Sequence, residues 1–208
     1  MKSKYISITV ICVVLVLLAV RLCVVDVVRV PEGKCHRSGS MALVSRWSFG
    51  YRLPWDANRR LSDGKAEKDD WIAYNQPVST RNEKVNSTPV FIGRCEAVPG
   101  DTLWYNNESG EMSTTKHGRF THQIIIPQKG RTIRITNDNI RLYAITIMIH
   151  EPVKASIVDG GLCVSGKMVK QYTFTQDYYW LLNDQPSNIA DSRAFGFVPH
   201  AALIGRVL

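Results

Sequence analysis

FIGRCEAVPGDTL, residues 91–103, reads as strand, turn, strand. An apolar run leads to Val98, Pro99-Gly100-Asp101 supplies the turn, and a second apolar run begins at Thr102. The same pattern continues outward from it. WIAYNQPV (71–78) and TPVFIGRCEAV (88–98) lead into the turn, and DTLWY (101–105), HQIIIP (122–127), RTIRIT (131–136) and YYWLL (178–182) come after it. β-branched and aromatic residues dominate these runs, with turn clusters at 106–110 and 159–161 between them. GLCVSGKMVKQYTF (161–174) reads as a hairpin bent at Ser165-Gly166. Only residues 138–150 predict a helix, because Ile140, Tyr143, Ala144 and Ile147 fall near helical spacing. The expected fold is mainly β: one all-β domain over residues 26–208 with one small helical insertion and no dividing linker.

Ahead of that domain, Lys2 and Lys4 precede an apolar stretch over residues 5–25 in which Arg21 is the only charge. Its 21 residues match a bilayer-crossing helix, and an arginine near the end can reach the headgroups. No small-residue cleavage site follows Val20, and Arg21-Leu22 stand where a lipoprotein signal has small residues before its cysteine. The reading is a single uncleaved transmembrane helix over 5–25, with residues 1–4 cytoplasmic. The positive-inside rule then places the domain on the outer, periplasmic face of the inner membrane.

Composition narrows the partners. The 208 residues carry 26 Lys and Arg against 18 Asp and Glu, a net charge of +8. These charges are dispersed, with no long basic run and no base-reading motif, which argues against nucleic acid and suits an anionic lipid surface. Cys12, Cys23, Cys35, Cys95 and Cys163 match neither zinc-site nor CxxC spacing, so no metal and no cofactor is implied. Their odd number favours free thiols, with at most one bridge among Cys35, Cys95 and Cys163.

Four segments, in order, resemble the signature blocks of the bacterial type I signal peptidase family. They are VRVP at 28–31, LVSRWSFGYRLPW at 43–55, FIGRCEAVPGDTL at 91–103 and NDQPSNIADSRAFGFVPHAALIGRV at 183–207. The second is similar to the family's strand and YGxRxP block, the third to FIKRxxGLPGDxL, and the fourth to its closing GDN…DSR block. The resemblance takes in nearly everything but residues 106–170. It implies a membrane-anchored β domain that removes signal peptides from exported proteins, using a serine nucleophile and a neutral lysine as general base. A lysine can act so only where apolar burial depresses its pKa.

The chain departs from that chemistry where it matters most. The general-base slot falls on Gly93, which has no side chain. The nucleophile has two placements. Ser38-Gly39-Ser40-Met41 spells the family's SxSM motif, with Ser40 as nucleophile and the Ser38 hydroxyl in the oxyanion hole. Leu43, however, follows only three residues after Ser40, without the family's intervening PTLxxGD. In the second register VRVP leads directly into Glu32-Gly33-Lys34-Cys35, fewer residues are deleted, and Lys34 occupies the nucleophile slot. The serine that helps orient the family's lysine falls on Ile189. Lys34 could also reach toward the space left at Gly93, and His36 lies close to either nucleophile position.

The remaining motif residues read as scaffold: Pro99, Gly100 and Asp101 as a turn, and Arg94, Asp191, Ser192 and Arg193 as support beneath the site, with ion pairs from the charged ones. Trp47, Phe49, Tyr51 and Trp55 are core or a membrane-facing rim. Two functions follow. One is a signal peptidase working through Ser40 with an unorthodox base. The other is an inactive relative that binds signal peptides or extended segments of exported or surface-fibre proteins as a chaperone or assembly factor. Membrane lipid is a partner in both, and an active paralogue is a further candidate partner.

Overall fold

The apolar N-terminal run forms α1 (Lys2–Cys23) in the computed structural model of the chain. The structure describes residues 2–23, 25–29, 41–50, 52–53, 56–60, 62, 64–77, 89–106, 112–116, 122–183 and 191–208; side chains at 2–5, 19–23, 52–53 and 56–59 lie outside the description. From Ile6 to Leu18 every side chain of α1 is exposed. Only the side chains from Ile6 to Leu18 of α1 are described, and among the described residues no helix is long and apolar enough to cross a membrane. α1 ends at Cys23, and Val25 opens a strand, β1 (Val25–Arg29).

β1 pairs antiparallel with β2 (Met41–Ser45), Arg29 opposite Met41. Next come the short pair β3 (Arg52–Leu53) and β4 (Asp56–Arg60), then β5 (Trp71–Asn75) and β6 (Val90–Ala97). β7 (Thr102–Tyr105) lies between β8 (Met112–Ser113) and β9 (His122–Ile125). β10 (Thr132–Arg134) precedes α2 (Ile140–His150), which realises the one helix expected. β11 (Ala155–Val158), β12 (Gly161–Val164) and β13 (Lys167–Val169) form a three-stranded meander, and β14 (Gln171–Thr173) returns to pair with β10. β15 (Tyr178–Leu182), the helical turn α3 (Ser192–Phe195), β16 (Val198–Pro199), a 3-10 turn (His200–Ala202) and β17 (Leu203–Val207) complete the chain. The single expected insertion is thus joined by two short helical turns.

The hairpin bend falls where the sequence put it. Ser165 and Gly166 have φ of +50° and +82°, the left-handed pair of a tight two-residue turn joining strands of right-handed twist. The main sheet has the order β1-β2-β17-β5-β6-β15-β16. One of its faces gathers Val28, Ala42, Val44, Ala73 and Ile92. The opposite face packs Ile72, Tyr74, Phe91, Cys95, Tyr179, Leu181 and Leu203. A second core forms around α2 from Tyr143, Ile147, Leu162, Phe174 and Phe197.

β15 separates these cores by simple alternation. Tyr178 and Trp180 enter the α2 core, while Tyr179 and Leu181 enter the sheet core, as a period of two requires. Within the α2 lobe the buried Glu151 carboxylate accepts bonds from the Tyr172 and Tyr178 hydroxyls and from the Thr175 N–H and hydroxyl. A polar group so far from water is tolerated because its oxygens are met by donors.

Candidate functional site

β6 has two unlike halves. From Val90 to Arg94 it pairs with β5, Gly93 opposite Ile72. Along its other edge β15 pairs only with Arg94, Cys95 and Ala97. Among the described residues, therefore, no strand covers the second edge of β6 from Val90 to Gly93. An open edge presents backbone N–H and C=O groups that an extended peptide can satisfy.

Gly93 lies where the two halves meet, beside the end of β15, on the face shared with Phe91 and Cys95. A Cβ there would stand 3.2 Å from the Leu182 carbonyl oxygen, 3.3 Å from Tyr74 Cε1 and 3.4 Å from Leu181 Cβ. The slot is therefore closed by neighbours and is not an empty space awaiting a side chain. Tyr74 is fully buried and packs on Phe91 at 6.0 Å between ring centroids, and Phe91 packs in turn on Phe195 at 5.5 Å. Two positions along the same face, the Cys95 thiol is pushed up to about 12, chiefly by burial and further by Asp70 and other nearby carboxylates. It stays protonated at neutral pH and is no nucleophile.

Behind this wall the last block acts as a clamp. Asp191, fully buried, accepts from the backbone N–H of Asn183 at 3.0 Å and of Arg193 at 2.9 Å, and from the Arg193 guanidinium at 2.6 Å. The hydrogen bond to Asp191 raises the Arg193 pKa, so the guanidinium keeps its charge. Asp191 also caps α3, and Gly196, with φ of +76°, ends it. Ser192 Oγ accepts the Leu181 N–H at 2.9 Å. Together these bonds tie the end of β15 to the start of α3.

Arg94 joins a different set. It donates to Asp69 at 2.8 Å and to Glu96, on the partly exposed face, and no described bond links it to Asp191 or Arg193. Pro99, Gly100 and Asp101 build the turn expected of them. The Asp101 N–H donates to the Val98 carbonyl, the Asp101 carboxylate accepts from the Val98 N–H, and Gly100 takes a φ of +94° at the position where a type II turn needs one.

Lys34, Ser38 and Ser40, the candidates for the nucleophile and oxyanion hole, lie outside the described residues, as do Cys35, His36 and Ile189. They belong to the connections 30–40 and 184–190. Phe49 is core, whereas Trp47 is about half exposed. Cys95 and Cys163 are free thiols, so no bridge joins them.

Two structural residues escaped the sequence reading. Tyr74, which closes the Gly93 slot, looked like any other aromatic strand residue. Arg60 donates to the carbonyls of Phe49, Gly50, His200, Ala201 and Leu203, tying two distant loops together, and nothing local to its sequence signals this. The Asp191 cap was readable, since an aspartate before a short segment closed by glycine is a helix-start and helix-stop pair.

Signal peptidase I of Buchnera aphidicola subsp. Baizongia pistaciae is 23% identical to the chain, the match covering 82% of this chain and 63% of that protein. The chain thus spans less than two thirds of the length of this curated relative. The family described as "Signal peptidase, peptidase S26" matches residues 2–208, nearly the whole chain. With its DSR clamp, its PGD turn and the strand that carries Gly93, the chain belongs to the S26 signal peptidase family.

Proposed function

We propose that this protein is a membrane-anchored binding module on a peptidase scaffold. It holds signal peptides or other extended segments of exported proteins along the open half of β6, and it does not cleave them by a serine–lysine route. The observation that carries this reading is the Gly93 slot: the strand edge that can receive a peptide remains, while the base position has no side chain and is walled in by Tyr74, Leu181 and Leu182. A serine hydroxyl needs a base within hydrogen-bond reach to become an effective nucleophile, and none of these neighbours is one.

The anchor belongs to the same proposal. α1 is 22 residues long, about 33 Å at the α-helical rise, against a hydrocarbon core of about 30 Å. Its described side chains are apolar or small and all are exposed. Beside it, Val27 and Leu43 are directly opposed on β1 and β2 and exposed, as are Met41 and Leu208, an apolar patch suited to a lipid surface. Lys2 and Lys4 would keep the N-terminus cytoplasmic and the domain outside. Processing of the bound segments would then fall to an active paralogue.

A second reading keeps the family's activity. The Ser38-Gly39-Ser40-Met41 motif favours it, with Ser40 as nucleophile and an unorthodox base such as Lys34. One experiment separates the two. The chain is expressed with its anchor in membranes, and a preprotein with an Ala-X-Ala site is followed for both cleavage and crosslinking to β6. The proposal expects crosslinking without cleavage in the wild type, and no cleavage in Gly93→Lys, because the slot cannot take the added chain. Cleavage by the wild type that disappears in Ser40→Ala overturns it.

A further inference from the structure

A concave groove of about 490 Å³ opens in the α2 lobe, on parts of the chain that the function above does not use. Its floor is apolar: Leu162 is 1% exposed and Ile140 8%. Met168 and Val169 form one wall, and Met168 is 59% exposed. Arg134 and Lys170 are the only charged residues that line it, and both are exposed. The nearest carboxylates in sequence, Asp138 and Asp159, do not line the groove. Neither cation has a carboxylate partner among the described residues.

Two further features share this place. β13 pairs with β12 alone among the described strands, so its other edge carries backbone groups without a strand partner, and two of its residues, Met168 and Val169, line the groove. α2 begins at the groove with Ile140, has no acidic residue in its first turn, and presents the positive end of its dipole there. Apolar floor, cationic rim and open strand edge together fit a ligand that is extended, aliphatic on alternate residues and acidic on the others. Strand addition supplies the backbone bonds in such a complex, and pockets for alternate side chains supply selectivity. A bilayer fits less well, because it meets convex apolar surface and this floor lies below its rim.

We infer that the groove between β13 and the start of α2 is a second peptide-binding site, one that takes an acidic, aliphatic segment as an added strand. The site stands independently of the β6 edge. Opposite charge across its rim governs which segments enter and how fast, and the apolar floor holds them.

The test uses the full chain in neutral detergent and a fluorescein-labelled octapeptide of alternating Asp and Leu, read by fluorescence anisotropy. Binding is expected for this probe and not for alternating Lys-Leu or Asp-Ser octapeptides. The double variant Arg134→Glu, Lys170→Glu should weaken it by about tenfold or more, while Lys154→Glu, a charge reversal in the same lobe away from the groove, leaves it unchanged. Met168→Asp, at an exposed position, gives a second reading that does not depend on the cations. Methylating alternate backbone nitrogens of the probe should also weaken binding if the ligand pairs as a strand. Equal binding of the Lys-Leu probe, or full binding by both the double variant and Met168→Asp, overturns the inference. So does a result in which phosphatidylglycerol vesicles, and not the peptide, lose affinity in the double variant.

Discussion

The seven-stranded sheet and the α2 lobe sit side by side but are held together by different means. One face of the sheet is packed with small residues, Ala42 and Ala73 among Val28, Val44 and Ile92. Its precision comes from polar groups aimed at the backbone: Arg60 on five carbonyls, Asp191 on two N–H groups, Ser192 on a third. The lobe is filled by rings. Phe197 lies 5.7 Å from Tyr143, 5.8 Å from Trp180 and 6.4 Å from Tyr178, measured between centroids. Volume can be redistributed among apolar residues with little loss, whereas a side chain that reaches specific backbone atoms has few substitutes. Asp191 and Ser192 of the last motif block are of the second kind, each fixed on named backbone N–H groups.

The largest expected effect strikes the lobe through its rings. Phe197→Ala should cost about 3–5 kcal/mol, since it empties a site walled by three aromatic side chains. Hydrogen exchange should show α2 amides losing protection before those of β5 and β6. Equal loss in both regions would mean that the two cores unfold as one.

Acid should sharpen the contrast with a somewhat smaller effect. Burial holds the His150 imidazole down to about 4, from its usual 6.5, so the folded lobe contains the neutral ring. A depressed folded pKa gives stability that is complete above the unfolded value and is lost as pH falls. The loss runs from pH 6.5 toward pH 4 and amounts to about 3 kcal/mol for this group. Urea unfolding across that window should be steeper in the wild type than in His150→Leu. An unchanged slope in the variant would assign the acid sensitivity to other groups.

The smallest effect belongs to the sheet. Gly93→Ala places a Cβ at contacts of 3.2–3.4 Å, so the neighbours must yield by tenths of an ångström, at about 1 kcal/mol. Thermal unfolding should register a modest drop. A gain in stability would show that the slot is looser than its contacts indicate, and would reopen the case for a longer side chain there.

Local signals carried much of this architecture, and distance set their limit. The 138–150 segment, the Ser165-Gly166 bend, YYWLL and the Pro99-Gly100-Asp101 turn are specified by periodicity and turn chemistry within a few residues, and each was readable from the chain. β3 and β4 were not, because a two-residue pairing leaves no periodicity to detect. The insertion of β17 between β2 and β5 and the five bonds of Arg60 link residues far apart in sequence, which no local window contains. At the site, the identity of Gly93 was legible but its enclosure was not. Tyr74 reaches it only because β5 and β6 pair in one register, Tyr74 opposite Phe91 and Ile72 opposite Gly93.

The place of β17 has a consequence for how the protein is made. β2 and β5 are separated in the sheet by a strand that the ribosome supplies more than a hundred residues later, Ser45 and Leu203 being 158 positions apart. At about 5–20 residues per second, the early strands wait on the order of ten seconds with unsatisfied edges. Throughout that interval β1–β2 and β5–β6 are paired ribbons with one open edge each, and a chain stalled short of Leu203 would keep both edges exposed.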